Sequence, residues 1–156
     1  MLFRSGALTQ TKLKWAHVYE TSEPFHKWSV WAADEIKKRS NGRYQIDVYP
    51  ASQLGKENDI NQGLTLGTVD IIISGSSFAA KTFPRIGVTY YPYTFRGVDH
   101  LLAYTRSELY KELTRGYEEK SGNEIIATTY YGVRQDRKST RLNSSHIQKS
   151  RMPSSA

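Results

Sequence analysis

The alternation of strand-like and helix-like segments between residues 12 and 130 is the feature that most constrains the fold. Strands are predicted where polar and apolar residues alternate, or where β-branched residues run together, and helices where apolar residues recur every three or four positions. The resulting order is β-α-β-α-β, an irregular segment, and then α-α-β. This order indicates an α/β fold with a mixed, mostly parallel sheet flanked by helices. The predicted strands cover residues 12–18, 44–49, 69–73 and 124–130, and the predicted helices cover residues 24–39, 57–66, 97–105 and 107–121.

Three finer predictions concern burial. The strand over residues 69–73 is nearly continuous in β-branched residues, which is typical of a central strand buried on both faces. Pro92 makes residues 88–95 an irregular or edge segment, although they are aromatic and extended in character. The first helix is predicted to bury one stripe, formed by Phe25, Trp28, Trp31, Ala32 and Ile36.

Length and composition bound the class of protein. The chain has 156 residues, of which 38% are hydrophobic, so it can build one real core. No Pro-, Gly- or Ser-rich linker interrupts residues 12–135, which indicates a single lobe. The absence of cysteine excludes a disulfide-dense mini-protein, a thiol redox enzyme and a Cys-ligated zinc site. No apolar run approaches the ~20 residues that a membrane-spanning helix needs.

The positive charge is concentrated at the ends of the chain. Of the net charge of +7, residues 136–156 contribute +4, whereas residues 6–135 contribute only +2. A large basic excess would favour a nucleic-acid-binding module. Because the middle of the chain has an ordinary balance, only the carboxyl-terminal tail supports that alternative, and the tail contains no aromatic residue for base stacking.

Both ends resemble translated sequencing adapter more than natural protein sequence. Residues 136–146 and 150–156 match one reading frame of such an adapter in the expected order, and residues 1–5 match more weakly. The tail also lacks any helix or strand period. We therefore expect that the natural polypeptide runs from about residue 6 to residue 135 and is truncated. The expected division is a disordered, partly artefactual segment at 1–11, a truncated first lobe at 12–135, and a non-native disordered tail at 136–156.

Few residues have the spacing that catalysis or metal binding requires. The histidines His17, His26 and His100 are scattered, and each is interpreted as a surface or hydrogen-bonded histidine rather than a metal ligand. Ser77 lies in a stretch that nearly fits the nucleophile elbow of α/β hydrolases. Its only downstream acid–histidine neighbours, Asp99 and His100, are adjacent in sequence and so are poorly arranged for a triad.

A ligand site is the more direct interpretation of the same region. The small polar loop of residues 74–77 follows a predicted strand, and ligands of open α/β sheets bind at that end of the strands. Arg134 follows the last predicted strand beside two tyrosines, where a guanidinium is suited to holding a carboxylate through two hydrogen bonds. An Arg in this position is also commonly a surface ion pair, so the residue alone does not decide the function.

Six motifs in order resemble the solute-binding subunit of tripartite ATP-independent periplasmic (TRAP) transporters, the DctP family. Together they extend over residues 12–135, which makes the resemblance far more specific than any single motif. The motifs are residues 13–17 (LKWAH), 40–43 (SNGR), 49–55 (YPASQLG), 64–70 (LTLGTVD), 92–95 (PYTF) and 132–135 (GVRQ).

The resemblance implies one lobe of a two-lobed, class II periplasmic-binding-protein-like fold. It implies a monomeric, periplasmic protein that captures a small organic acid without catalysis or a cofactor and delivers it to membrane permease subunits. The lack of a signal peptide is then attributed to truncation. By this resemblance Arg134 aligns with a ligand-contacting Arg, and six further residues fall in cleft-lining segments: His17, Tyr19, Glu57, Ser74, Ser77 and Phe95.

The resemblance also implies that the main carboxylate-clamping Arg and the second lobe lie beyond this sequence. The chain is therefore expected to bind organic acids weakly or not at all. The identity of the acid stays open among dicarboxylates, sugar acids, keto acids and amino-acid-like solutes. Two alternatives from other classes stay open as well: a serine hydrolase that uses Ser77, and a nucleic-acid-binding module that uses the basic tail.

Overall fold

The computed structural model describes residues 10–132, and predictions on residues 1–9 and 133–156 lie outside this range. The elements follow the predicted α/β order up to residue 121. The strands are β1 (Thr11–Ala16), β2 (Tyr44–Tyr49) and β3 (Ile71–Ile72). The helices are α1 (Pro24–Arg39), α2 (Glu57–Leu66), α3 (Ser76–Ala79), α4 (Val98–Thr105) and α5 (Glu108–Ser121), with a 3₁₀ helix at Pro84–Tyr90 between α3 and α4.

The three described strands form a parallel sheet in the order β2-β1-β3. All six residues of β1 pair with β2, whereas only Trp15 and Ala16 pair with β3. The prediction of a long central strand at residues 69–73 was therefore wrong, because β1 is central and β3 is short. Just before β3, the Asp70 carboxylate accepts the Lys14 N–H at 2.7 Å, where a regular ladder would use a backbone carbonyl, and the Asp70 N–H donates to the Lys14 carbonyl at 3.1 Å.

The core beneath the sheet is small. Ala16, Ile60 and Val69 are buried together, and Val18 and Ile72 pack against them. A second buried group joins α5 to the 3₁₀ helix through Leu113, Tyr117 and Ile86.

Helix α1 buries a different stripe from the one predicted. Trp28 and Trp31 are 65% and 53% exposed, whereas Ser29 and Ala33 are buried. Ser29 can be buried because its hydroxyl donates to the Phe25 carbonyl of the preceding turn at 2.8 Å. The stripe prediction was wrong because it considered the hydrophobicity of the side chains and not their size. Small residues let the helix approach the sheet closely, whereas two indoles at the same positions would not.

Two aromatic or extended segments also differ from prediction. Residues 124–130 form no strand within the described range, and Ile126 is 81% exposed. A strand pairs with a neighbour to satisfy its backbone groups, and this segment pairs with none of β1, β2 and β3. Residues 88–90, predicted as extended, belong to the 3₁₀ helix instead.

Helix α5 lies within the predicted segment of residues 107–121 and is capped at both ends. The Ser107 hydroxyl accepts the Tyr110 N–H, and Gly122 ends the helix in the left-handed region with φ 70°. No helix within residues 10–132 combines the length and the apolar character needed to cross a membrane.

Candidate functional site

The carboxyl edge of the sheet brings most of the predicted cleft residues into one region. His17 and Tyr19 follow β1, and Ser74 follows β3. The last hydrogen bond between the two strands runs from the Ile73 N–H to the Ala16 carbonyl, at 3.3 Å. Because the strands are parallel, their ends meet at the same edge. Helix α2 begins at this edge with Glu57, so residues distant in sequence line one side of the lobe.

One part of this edge is a polar network around Glu57. The Glu57 Oε1 atom accepts hydrogen bonds from the Gly75 N–H at 2.7 Å and from the Ser74 hydroxyl at 3.1 Å. The Asn61 amide donates to Ser74 Oγ at 2.8 Å. Glu57 and Ser74, both predicted, are therefore in direct contact. Asn61 was missed, although it lies one helical turn after Glu57, and that spacing would have found it.

Ser77 lies close to this network but does not form a catalytic triad. Ser76 and Ser77 begin helix α3, so the predicted polar loop ends at Gly75. Among the described residues, no hydrogen bond links Ser77 to a histidine. His100, the proposed triad member, accepts the Arg96 N–H at 3.3 Å and contacts the Phe95 ring instead.

The other part of the edge is an aromatic cluster. Tyr19 stacks on Phe25 with ring centroids 4.7 Å apart, and Tyr131 lies 5.5 Å from Tyr19 and 5.2 Å from Phe25. The Tyr131 hydroxyl donates to Glu23 at 3.2 Å. The cluster therefore holds the end of the described chain against the start of α1, beside β1.

His17 and His26 form a pair within this edge, which the sequence did not reveal. His17 is 1% exposed, and its Nε2 atom lies 3.3 Å from Nδ1 of His26, which is half-buried in the first turn of α1. Burial lowers the pKa of His17 and the His26 ring lowers it further, against smaller opposing effects of the Tyr19 backbone and Glu23. His17 is therefore neutral at pH 7 and can both donate and accept a hydrogen bond.

Phe95 and Arg134 are not brought to this edge by the described structure. Phe95 contacts His100 and Tyr104 of α4, with ring centroids 5.4 and 5.3 Å apart. Arg134 lies outside the described residues. Within residues 10–132, the side-chain hydrogen bonds of His17, Glu57 and Ser74 involve no Arg or Lys.

The same range contains no group of three or more His, Cys, Asp or Glu side chains placed to hold a metal ion. The arrangement is a polar and aromatic surface that offers hydrogen-bond donors, acceptors and ring faces. Such a surface suits a small polar solute with several hydroxyl groups.

Residues 15–145 match the family described as bacterial extracellular solute-binding protein, family 7, also named DctP. The chain belongs to this family. The predicted resemblance is thereby confirmed, and so is the α/β, periplasmic-binding-protein-like fold.

Individual relatives agree with this assignment. A solute-binding protein of Roseobacter denitrificans is 29% identical over 134 residues, which cover 85% of this chain and 41% of the relative. The sialic acid-binding periplasmic protein SiaP of Vibrio cholerae is 29% identical over 112 residues, which cover 72% of this chain and 35% of SiaP.

Solved structures of TRAP periplasmic solute-binding proteins show the same fold. The Roseobacter denitrificans protein with bound L-galactonate superimposes with a TM-score of 0.68 and 28% identity, over 74% of this chain and 38% of that one. A protein from Haemophilus influenzae with bound L-gulonate gives a TM-score of 0.69 and 28% identity, over 76% and 38%. The chain thus spans about two fifths of the length of the relatives it matches.

Proposed function

We propose that this chain contributes the first lobe of a TRAP-type solute-binding protein that captures an organic acid outside the cytoplasm. The protein then delivers the acid to membrane permease subunits for transport, and it carries out no reaction on it. The observation that carries the proposal is the family match over residues 15–145 in a chain where His17, Tyr19, Glu57 and Ser74, four of the seven predicted site residues, lie at one sheet edge. The relatives with bound sugar acids support a carboxylate as the ligand.

The lobe is proposed to span residues 11–135, one residue more than predicted from the sequence because Thr11 belongs to β1, with residues 1–10 and 136–156 outside the binding fold. A second lobe closes the cleft from the other side in this proposal, and the protein works as a periplasmic monomer. Closure around a hinge excludes water, and a carboxylate gains more from its partners in the drier cleft than it would in solution.

Arg134 is proposed to bind the ligand carboxylate. It is three residues beyond Tyr131, which is held in the aromatic cluster by Tyr19, Phe25 and Glu23. Because Arg134 follows Tyr131 closely in sequence, it is proposed to act at the edge that His17 and Ser74 line. A guanidinium there would hold the carboxylate through charge-assisted hydrogen bonds.

Ligand titration of the 156-residue chain by two-dimensional amide NMR tests the proposal. We expect L-galactonate at tens of millimolar to shift the amide signals of residues 17–20 and 74–77. Galactitol, which has the hydroxyl chain without the carboxylate, serves as the matched control and should leave them unchanged. Equal shifts with both compounds, or acid-dependent shifts confined to α4 and α5, would contradict the proposal.

A separate variant tests the proposed role of Arg134. Replacing Arg134 with Gln should weaken the galactonate response at least several-fold, because a bidentate charge-assisted contact is lost. Replacing Arg85 with Gln removes a charge of the same sign from an exposed ion pair with Glu112 and should leave the response intact.

A further inference from the structure

The two imidazoles of His17 and His26 can share only one hydrogen in their neutral state. Nε2 of His17 and Nδ1 of His26 are 3.3 Å apart. Two lone pairs at this distance would repel, and two N–H groups would collide, so one ring donates and the other accepts. Adding one proton charges the pair while the hydrogen bond stays in place, whereas a second proton must break it.

The surroundings of the pair balance its charge. Burial of His17 disfavours a positive charge on its ring. Glu23 favours it, although Glu23 also accepts the Tyr131 hydroxyl. The Tyr19 ring lies beside His17, with ring centroids 6.0 Å apart. Helix α2 contributes the Glu57 carboxylate to this edge, and that carboxylate accepts hydrogen bonds from Ser74 and Gly75.

We propose that the His17–His26 pair takes up one proton from solvent when a carboxylate occupies the adjacent cleft, so that acid capture strengthens as the pH falls. The inference rests on the proposed function of this edge. His26 is only half-buried and is the member of the pair that solvent reaches more easily, whereas His17 is fully buried.

The sign of the effect follows from linkage. An anion beside the pair favours its protonated form, so the bound state holds more protons than the free state near neutral pH. Affinity must then rise as pH falls, by at most about tenfold per pH unit for one proton. The ligand adds no pH dependence of its own to the affinity, because carboxylates stay ionised from pH 6 to pH 8.

The test measures the dissociation constant of L-galactonate for the 156-residue chain by amide NMR at pH 6, 7 and 8. We expect the constant to rise by about tenfold from pH 6 to pH 8, in line with uptake of up to one proton. His26→Gln keeps a hydrogen-bonding side chain beside His17 but cannot be charged, and its dissociation constant should change by less than about twofold over the same range.

His100→Gln is the matched control. His100 is exposed on α4, accepts the Arg96 N–H and lies outside the candidate site, so this variant should keep the full pH dependence. Binding that does not vary with pH in the unmodified chain would overturn the inference and leave the proposed function standing. Acid-specific shifts that avoid residues 17–20 and 74–77 at every pH would overturn both.

A measurement without ligand tests the shared proton directly. Imidazole NMR titration of the unmodified chain should show the pair taking up a single proton between pH 8 and pH 5. In His26→Gln, the remaining His17 ring should titrate alone, at a pH changed by the loss of its neighbour. Independent uptake of one proton by each ring above pH 5 would show that the rings do not share a hydrogen and would overturn the inference.

Discussion

Glu57 shows at the scale of single residues how one side chain organises the site. Its carboxylate accepts both the Gly75 N–H and the Ser74 hydroxyl, which ties the start of α2 to the end of β3. Glu57→Ala leaves two partly buried donors unsatisfied, so we expect a loss of about 1–3 kcal/mol in the free energy of unfolding, measured by urea denaturation. Glu112→Ala, which removes only an exposed ion pair with Arg85, should cost less than about 1 kcal/mol. Equal losses in the two variants would show that the Glu57 bonds do not hold the loop.

His17 makes a second prediction at this scale, concerning stability and pH. Its folded-state pKa lies below the value of about 6.5 expected for an unfolded chain. The unfolded state therefore binds the proton more readily, and the stability contributed by neutral His17 is present above about pH 6.5 and is lost as the pH falls through the folded pKa.

A His17→Gln variant separates the contribution of His17 from the other causes of destabilisation at low pH. Denaturation of the unmodified chain at pH 7 and pH 5 should show a larger fall in stability than the same pair of measurements on His17→Gln. His100→Gln should behave like the unmodified chain. A His17→Gln variant with the same pH dependence as the unmodified chain would contradict this assignment.

Close packing between elements depends on a glycine in α5. A Cβ atom on Gly116 would lie 2.8 Å from Cζ of Phe83, the residue that precedes the 3₁₀ helix. Gly116→Ala gains helix propensity, but the overlap should outweigh it and destabilise the chain by about 1–3 kcal/mol. The double variant Gly116→Ala/Phe83→Leu should lose less than the sum of the two single variants, because Leu vacates part of that space. Additive losses in a thermal or urea melt would contradict the contact.

The exposed face of α1 gives an opposite prediction. Trp28 and Trp31 contact each other edge to face at 5.5 Å, but both are more than half exposed. Replacing both with Gln should therefore change the free energy of unfolding by less than about 1 kcal/mol. Ala33→Leu, on the buried face, should destabilise the chain by about 1–3 kcal/mol through overpacking. A larger loss of unfolding free energy in the tryptophan variant would show that Trp28 and Trp31 are buried, as the sequence predicted.

The elements show which sequence signals are reliable and which fail. Ser107 and Gly122 mark the ends of α5 correctly because capping is a local interaction of a side chain or a backbone angle. The burial of α1 was mispredicted because it depends on the shape of the sheet facing it. The pairing of residues 124–130 and the length of β3 depend on neighbouring strands, which no local pattern encodes.

The candidate site was predictable to the extent that it follows from topology. The loop of residues 74–77 was expected at a ligand-binding edge because it follows a strand of an α/β sheet. His17, Tyr19 and Glu57 were expected in cleft-lining segments only through the family resemblance, and the parallel sheet explains why their segments meet Ser74 at one edge. The pairing of His17 with His26 was not predictable, since their nine-residue separation crosses from a strand into a helix. Only the angle at which α1 leaves β1 brings the two rings together.

At the scale of the whole molecule, one wall of a cleft should bind a ligand poorly. Association carries a cost of several kcal/mol in lost translational and rotational freedom, and only a surplus of contacts overcomes it. In the proposed function this edge would contact the ligand from one side only, and within residues 10–132 the side-chain hydrogen bonds of His17, Glu57 and Ser74 include no Arg or Lys. Titration calorimetry of the 156-residue chain with L-galactonate should therefore show no micromolar binding. A dissociation constant in the micromolar range would show that this lobe, with Arg134, is sufficient to capture the acid.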